Sequence, residues 1–152
     1  MNDQIGDAMV LGTWGLGGKG WSPLEPGEVS DILEAAWELG FRQFDCARAY
    51  GSAEDSLGEY LAGKARNTYR VASKQMAHQD RNVYRRRFEE SLNRLQVDSI
   101  DTYFVHWPRP GCDLRPVMEV LEAERERGRL REIGVSNFTI EDLEMVREVG
   151  HV

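Results

Sequence analysis

Apolar residues along this chain follow two spacings, short runs bounded by glycine or polar residues and longer stripes that recur every three or four positions. The short runs predict strands at residues 9–14, 41–46, 68–74, 99–106 and 131–136. The stripes predict a helix after each. Pro26 and Glu28 open one with Val29, Ile32, Leu33, Ala36 and Leu39 on a single face, closed by Gly40. Ser52 reads as the N-cap of a short helix through Leu57 and Leu61 that stops near Gly63. From Asn82 onward, Phe88, Leu92 and Leu95 stand at i, i+4 and i+7, with Val83 below them. Pro116 opens a helix through Val117, Val120, Leu121 and Glu124 that Gly128 stops, and FTIEDLEMVREVG forms a last one.

The strand ends carry Trp14, Asp45, Lys74, His106 and Ser136, spaced about thirty residues apart. That is the length of a strand–helix–strand crossover unit, so the sheet is expected to be parallel, with every strand's C-terminal end on one side. A doubly wound sheet and a (β/α)8 barrel both fit. A dinucleotide-binding doubly wound fold calls for G-x-G-x-x-G running directly into a helix. Here GTWGLGG is followed by a long loop through Trp21 and Pro26. Polar residues at successive strand ends suit the α/β (β/α)8 TIM-barrel type. The expectation is therefore one domain over residues 1–152, truncated to about five parallel βα units, since a whole barrel takes about 250 residues. An N-terminal fragment of this kind should leave two open edges and an apolar inner face, inviting self-association through the edges and little activity alone.

Charge narrows the partners. With 152 residues, 41% hydrophobic, 30% charged and a net charge of −7, the chain is neither disordered nor membranous. The acidic balance argues against nucleic acid. The basic run Arg85 to Arg87 is followed at helical spacing by Glu89 and Glu90, which reads as an ion-paired, solvated face. Two cysteines, Cys46 and Cys112, an N-terminus without signal-peptide form and no long apolar run point to a reduced, cytoplasmic protein. His78 and His151 are read without a functional role, and no metal is expected.

Asp45 ends an apolar run and Tyr50 follows five residues later ahead of a Gly-Ser turn, which places two ionisable groups at one mouth. Taken with GTWG, FDCARAYGSAE, SK, DSIDTYFVHWP and GRLREIGVSNF, in that order, the chain resembles the aldo-keto reductase family from about residue 9 to 149. Cys46 departs from it, standing where the family usually has Thr. The resemblance implies reduction of an aldehyde or ketone by hydride from NADPH, with NADH not excluded, and a small-molecule carbonyl substrate. Tyr50 would then be the acid. An unperturbed phenol, near pH 10, is too weak for that task, and a nearby cation favours its anion. Lys74 would supply the cation, Asp45 would anchor it, and His106 would donate a hydrogen bond to the substrate oxygen. By the same resemblance Ser136 and Asn137 would bind the nicotinamide carboxamide. Thr13 and Trp14 would line the cofactor and substrate pocket, with Trp107 as a further pocket aromatic. Two other functions stay open: a Schiff-base lyase using Lys74, and a nicotinamide-binding regulatory module with little turnover.

Overall fold

The computed structural model describes residues 9–109 and 111–150. The sequence ahead of Met9, which bears on the signal-peptide expectation, lies outside the described residues, as do Pro110 and His151. Five strands, β1 (Val10–Gly12), β2 (Gln43–Asp45), β3 (Arg70–Gln75), β4 (Ile100–Val105) and β5 (Leu130–Val135), form one parallel sheet in chain order. Helices α1 (Pro26–Glu38), α2 (Ala53–Leu61), α3 (Arg81–Leu95), α4 (Arg115–Glu126) and α5 (Ile140–Arg147) alternate with them. Among the described residues the order never reverses, so these strands form no switch point of the doubly wound kind. The sheet is built as five units of a TIM-type barrel. No helix among the described residues is long and apolar enough to cross a membrane.

Local chemistry explains the helix ends. Glu28 accepts from the Glu25 backbone in a capping box ahead of α1, and the Asp80 carboxylate accepts from the backbones of Asn82 and Val83 at the start of α3. Gly40 and Gly128 take φ of 93° and 72°, which lets the chain leave α1 and α4 abruptly. Ser52 holds the N-cap position of α2 but its hydroxyl caps nothing; its backbone N–H donates to Gly17 O.

The observed strands differ from the expected ones where a turn competes. Trp14 leaves β1 for a 3₁₀ turn over Trp14–Gly17, and Arg66–Thr68 is a second such turn, closed by Thr68 Oγ1 donating to Ala65 O at 2.6 Å. Phe41 N–H donates to Ala36 O and so still belongs to the exit of α1. On α1, Val29, Leu33 and Ala36 are buried while Ile32 and Leu39 are exposed at the edge of the stripe. On α3 it is Tyr84, and not Val83, that joins Phe88, Leu92 and Leu95 in the core.

Strand alternation then sets what each face of the sheet carries. Phe44 stacks on Trp37 of α1, Tyr103 meets Phe88 of α3 edge-on at 4.9 Å, and Val71 and Ile133 are buried beside them. The residues between point the other way. Gly12, Asp45, Ala72, Thr102 and Glu132 stand in one row across all five strands, with Val10, Gln43 and Arg70 in the row below. They line an open cavity of about 520 Å³. The expected apolar inner face is instead a mixed one, with Gln43, Asp45, Arg70, Thr102 and Glu132 beside Val10, Ala72 and Phe104, because much of the apolar half of the alternation is spent on the helices.

Candidate active site

β2 and β3 are neighbours with Asp45 opposite Ala72, so Lys74, two residues further on, leaves the sheet on the same face as Asp45. Lys74 is buried, and its ammonium is held by Asp45 Oδ1 at 2.6 Å and by the Cys46 carbonyl at 2.8 Å. It also reaches the Tyr50 hydroxyl at 3.4 Å. That arrangement sets the Lys74 Nζ between two oxygens and a phenol.

Tyr50 sits on a turn that the rest of the fold grips closely. A Cβ on Gly17 would meet the Tyr50 carbonyl oxygen at 1.3 Å, and one on Gly51, whose φ is 68°, would meet Gly17 O at 1.9 Å. Two glycine-bearing turns thus pack backbone on backbone, and only glycine permits it. Around the Tyr50 ring stand Trp14, 6.2 Å away centre to centre, and His106, edge-on at 5.8 Å. Trp21 in turn meets Trp14 at 5.6 Å, and the Phe104 ring lies 5.9 Å from Lys74 Nζ.

His106 follows β4 directly, its N–H donating to Gln75 O at 2.8 Å. Burial, seconded by the Lys74 charge, holds its imidazole below the ordinary value of 6.5, so the ring is neutral at pH 7. Its Nδ1 is buried without a hydrogen-bond partner. A proton there would be a donor with no acceptor, which favours the Nε2–H tautomer.

Thr13 is fully buried and donates through Oγ1 to Asp45 O at 3.0 Å, tying β1 to β2. Burial pushes the Cys46 thiol up to about 12, so the residue at this position is an inert apolar filler. At the end of β5, Asn137 adopts φ 60° and spends its amide hydrogens on His106 O at 2.8 Å and Ser136 Oγ at 2.9 Å. Asn137 Oδ1 and the Ser136 hydroxyl remain as one acceptor and one donor, a set that fits a primary amide such as a carboxamide.

Asp45, Tyr50, Lys74, His106, Thr13 and Trp14 are therefore brought together. Trp107 follows His106 and stands half-exposed on a groove of about 690 Å³ that it shares with Arg109, Cys112 and Asn137. His78 serves the turn ahead of α3, its Nδ1 accepting from Asp80 N–H. Sequence reasoning missed Trp21 and Phe104. The Phe104 signal was its place two residues before His106 on an alternating strand; Trp21, in a loop, gave none.

The family profile described as Aldo/keto reductase family matches residues 8–152. An aldo-keto reductase of Bacillus subtilis, YhdN, is 34% identical over 152 residues, covering 92% of this chain and 46% of that protein. The thermostable aldo-keto reductase Tm1743, solved with the inhibitor epalrestat, superposes with a TM-score of 0.84 at 31% identity, covering 93% of this chain and 54% of that one. An aldo-keto reductase from Klebsiella pneumoniae, solved with NADPH, gives 0.79 at 30%, covering 93% and 49%. The chain spans about half the length of the curated relatives it matches.

Proposed function

The chain belongs to the aldo/keto reductase family, and from that premise we propose that it carries the proton-delivering site of an NADPH-dependent reduction of an aldehyde or ketone to an alcohol. The observation that carries the reading is Lys74 Nζ, 2.6 Å from Asp45 and 3.4 Å from the Tyr50 hydroxyl, with His106 against the same ring. When bound, the nicotinamide would supply a hydride to the carbonyl carbon. Tyr50 delivers the proton to the carbonyl oxygen and is reprotonated from solvent, so one hydride and one proton complete the alcohol. Lys74 favours the charge left on the phenol oxygen, and Asp45 keeps Lys74 in place. A donor on His106 Nε2 holds the carbonyl oxygen toward Tyr50. Ser136 and Asn137 would take the carboxamide, and Trp14 with Trp21 walls the mouth.

The test is aldehyde-dependent NADPH oxidation by this chain and by a chimera completed with the C-terminal half of the Bacillus subtilis relative. Tyr50→Phe should cut turnover by more than about tenfold, above roughly 1.4 kcal/mol, while NADPH fluorescence titration stays unchanged. Turnover that survives Tyr50→Phe would remove Tyr50 as the acid. Binding without turnover in both proteins would favour the nicotinamide-binding module.

A further inference from the structure

Among the described residues two carboxyls, Glu54 and Glu124, are wholly buried, and they are treated differently. Glu124 is clasped: Oε1 accepts from Arg127 and Oε2 from Arg129, each at 2.7 Å. That is a satisfied structural ion cluster. Glu54, in the first turn of α2, accepts from Ser73 Oγ at 2.6 Å through Oε1 only. Its Oε2 is buried with no hydrogen bond, and the Arg94 guanidinium stands 3.7 Å off. Burial pushes this carboxyl above its ordinary range, and the groups facing it are Ser73 on β3, Ser91 and Arg94 on α3, and Arg48 ahead of α2. A half-satisfied buried carboxyl weakens a fold, and such local costs are expected where geometry serves function.

Its neighbours in the chain say which geometry. Glu54 lies four residues after Tyr50, and its partner Ser73 directly precedes Lys74. The Glu54–Ser73 bond therefore joins the segment that carries the phenol to the strand that carries the ammonium, on the buried side of the sheet. We propose that Glu54 is a positioning residue, which through Ser73 sets the separation between the Lys74 ammonium and the Tyr50 hydroxyl. The proposal rests on reading Tyr50 and Lys74 as a coupled pair.

The experiment is a spectrophotometric titration of tyrosinate in the full chain. Burial pushes the phenols of Tyr60, Tyr69, Tyr84 and Tyr103 up, and subtracting a Tyr50→Phe trace isolates the Tyr50 transition. Lys74→Met is the reference for a lost pair. Glu54→Ala and Ser73→Ala should both move the Tyr50 transition to higher pH, by about half a unit or more, because the ammonium is no longer held near. Glu54→Gln keeps an acceptor for Ser73 and should restore the wild-type transition or take it slightly lower. If Glu54 acted only through its charge, Ala and Gln would shift the transition downward together and Ser73→Ala would leave it in place. That result would overturn the proposal, as would unmoved transitions in folded Glu54→Ala and Ser73→Ala chains. Should Glu54→Ala fail to fold, Ser73→Ala decides, since it removes the same bond for the loss of one hydroxyl. A transition that ignores Lys74→Met as well would refute the coupled pair itself, and not the role of Glu54 alone.

Discussion

Gly17→Ala tests how the Tyr50 turn is held, and Gly15→Ala is its matched control. Both residues lie in the same 3₁₀ turn, neither has a positive φ, and an added Cβ meets nothing within 4 Å at Gly15. At Gly17 it would meet the Tyr50 carbonyl oxygen at 1.3 Å and the carbonyl carbon at 2.5 Å, both backbone atoms that no rotamer can move aside. The two turns must part by about 2 Å to reach ordinary contact. That breaks the Ser52 N–H to Gly17 O hydrogen bond of 3.2 Å, worth about 1 kcal/mol, and adds an overpacking cost of about 1–3 kcal/mol. The gain from restricting the unfolded chain, about 0.4–1 kcal/mol, is common to both variants and cancels in their difference. Gly17→Ala should therefore be less stable than Gly15→Ala by about 2–4 kcal/mol, or roughly 5–15 °C in melting temperature for a chain of this size. Urea unfolding followed by tryptophan fluorescence measures it directly. A difference below about 0.5 kcal/mol would show that the turns have slack and that backbone contact does not place Tyr50.

Three further outcomes follow from the same geometry. Lys74→Met should cut carbonyl reduction and move the pH–rate profile of the completed chimera, because the cation 3.4 Å from the phenol oxygen is gone; an unchanged profile would contradict the coupling. The His106 imidazole is held below 6.5, so between that lowered value and 6.5 the unfolded chain binds a proton that the folded chain refuses. Stability contributed at neutral pH is thus lost as pH falls through 6.5, and denaturant curves from about pH 7.5 to 5 should show wild type losing more than His106→Gln. Parallel losses would refute that assignment. Burial raises both thiols, so Cys46 and Cys112 should resist iodoacetamide in the native chain and react in urea; rapid native alkylation of Cys46 would show that the β2 end opens.

Much of the site was legible because a polar residue that terminates an apolar run is visible in one dimension. Asp45, Lys74 and His106 each end such a run, and their thirty-residue spacing already implied that they share one rim. What escaped depended on contacts between distant turns or on which side of a stripe is covered. No local pattern records that Gly17 and Gly51 touch, or that Glu54 turns inward beneath Ser73. Tyr84 lay one position from Val83, and a phenol gives an ambiguous signal in a polar–apolar pattern although its ring fills the core. Leu39 looked like the end of a stripe but stands past the last turn that meets the sheet, 78% exposed. The turns at Trp14–Gly17 and Arg66–Thr68 shorten two strands because local hydrogen bonds, Leu16 N–H to Thr13 O and Thr68 N–H to Ala65 O, take the place of ladder bonds there.

The mixed polar and apolar concave face also bears on what kind of stickiness this sheet has. Gln43, Arg70, Thr102 and Glu132 hydrate readily, so water wets the hollow of the sheet as well as its helical back. Among the described residues β1 and β5 each pair on one side only, and Trp14, Trp21, Leu39 and Ile140 stand exposed. Association of this chain would accordingly engage strand edges together with those exposed apolar side chains, and not the hollow alone. A formulator would then have two contacts to treat, the apolar one with mild detergent and the edge with solutes that compete for amide hydrogen bonds.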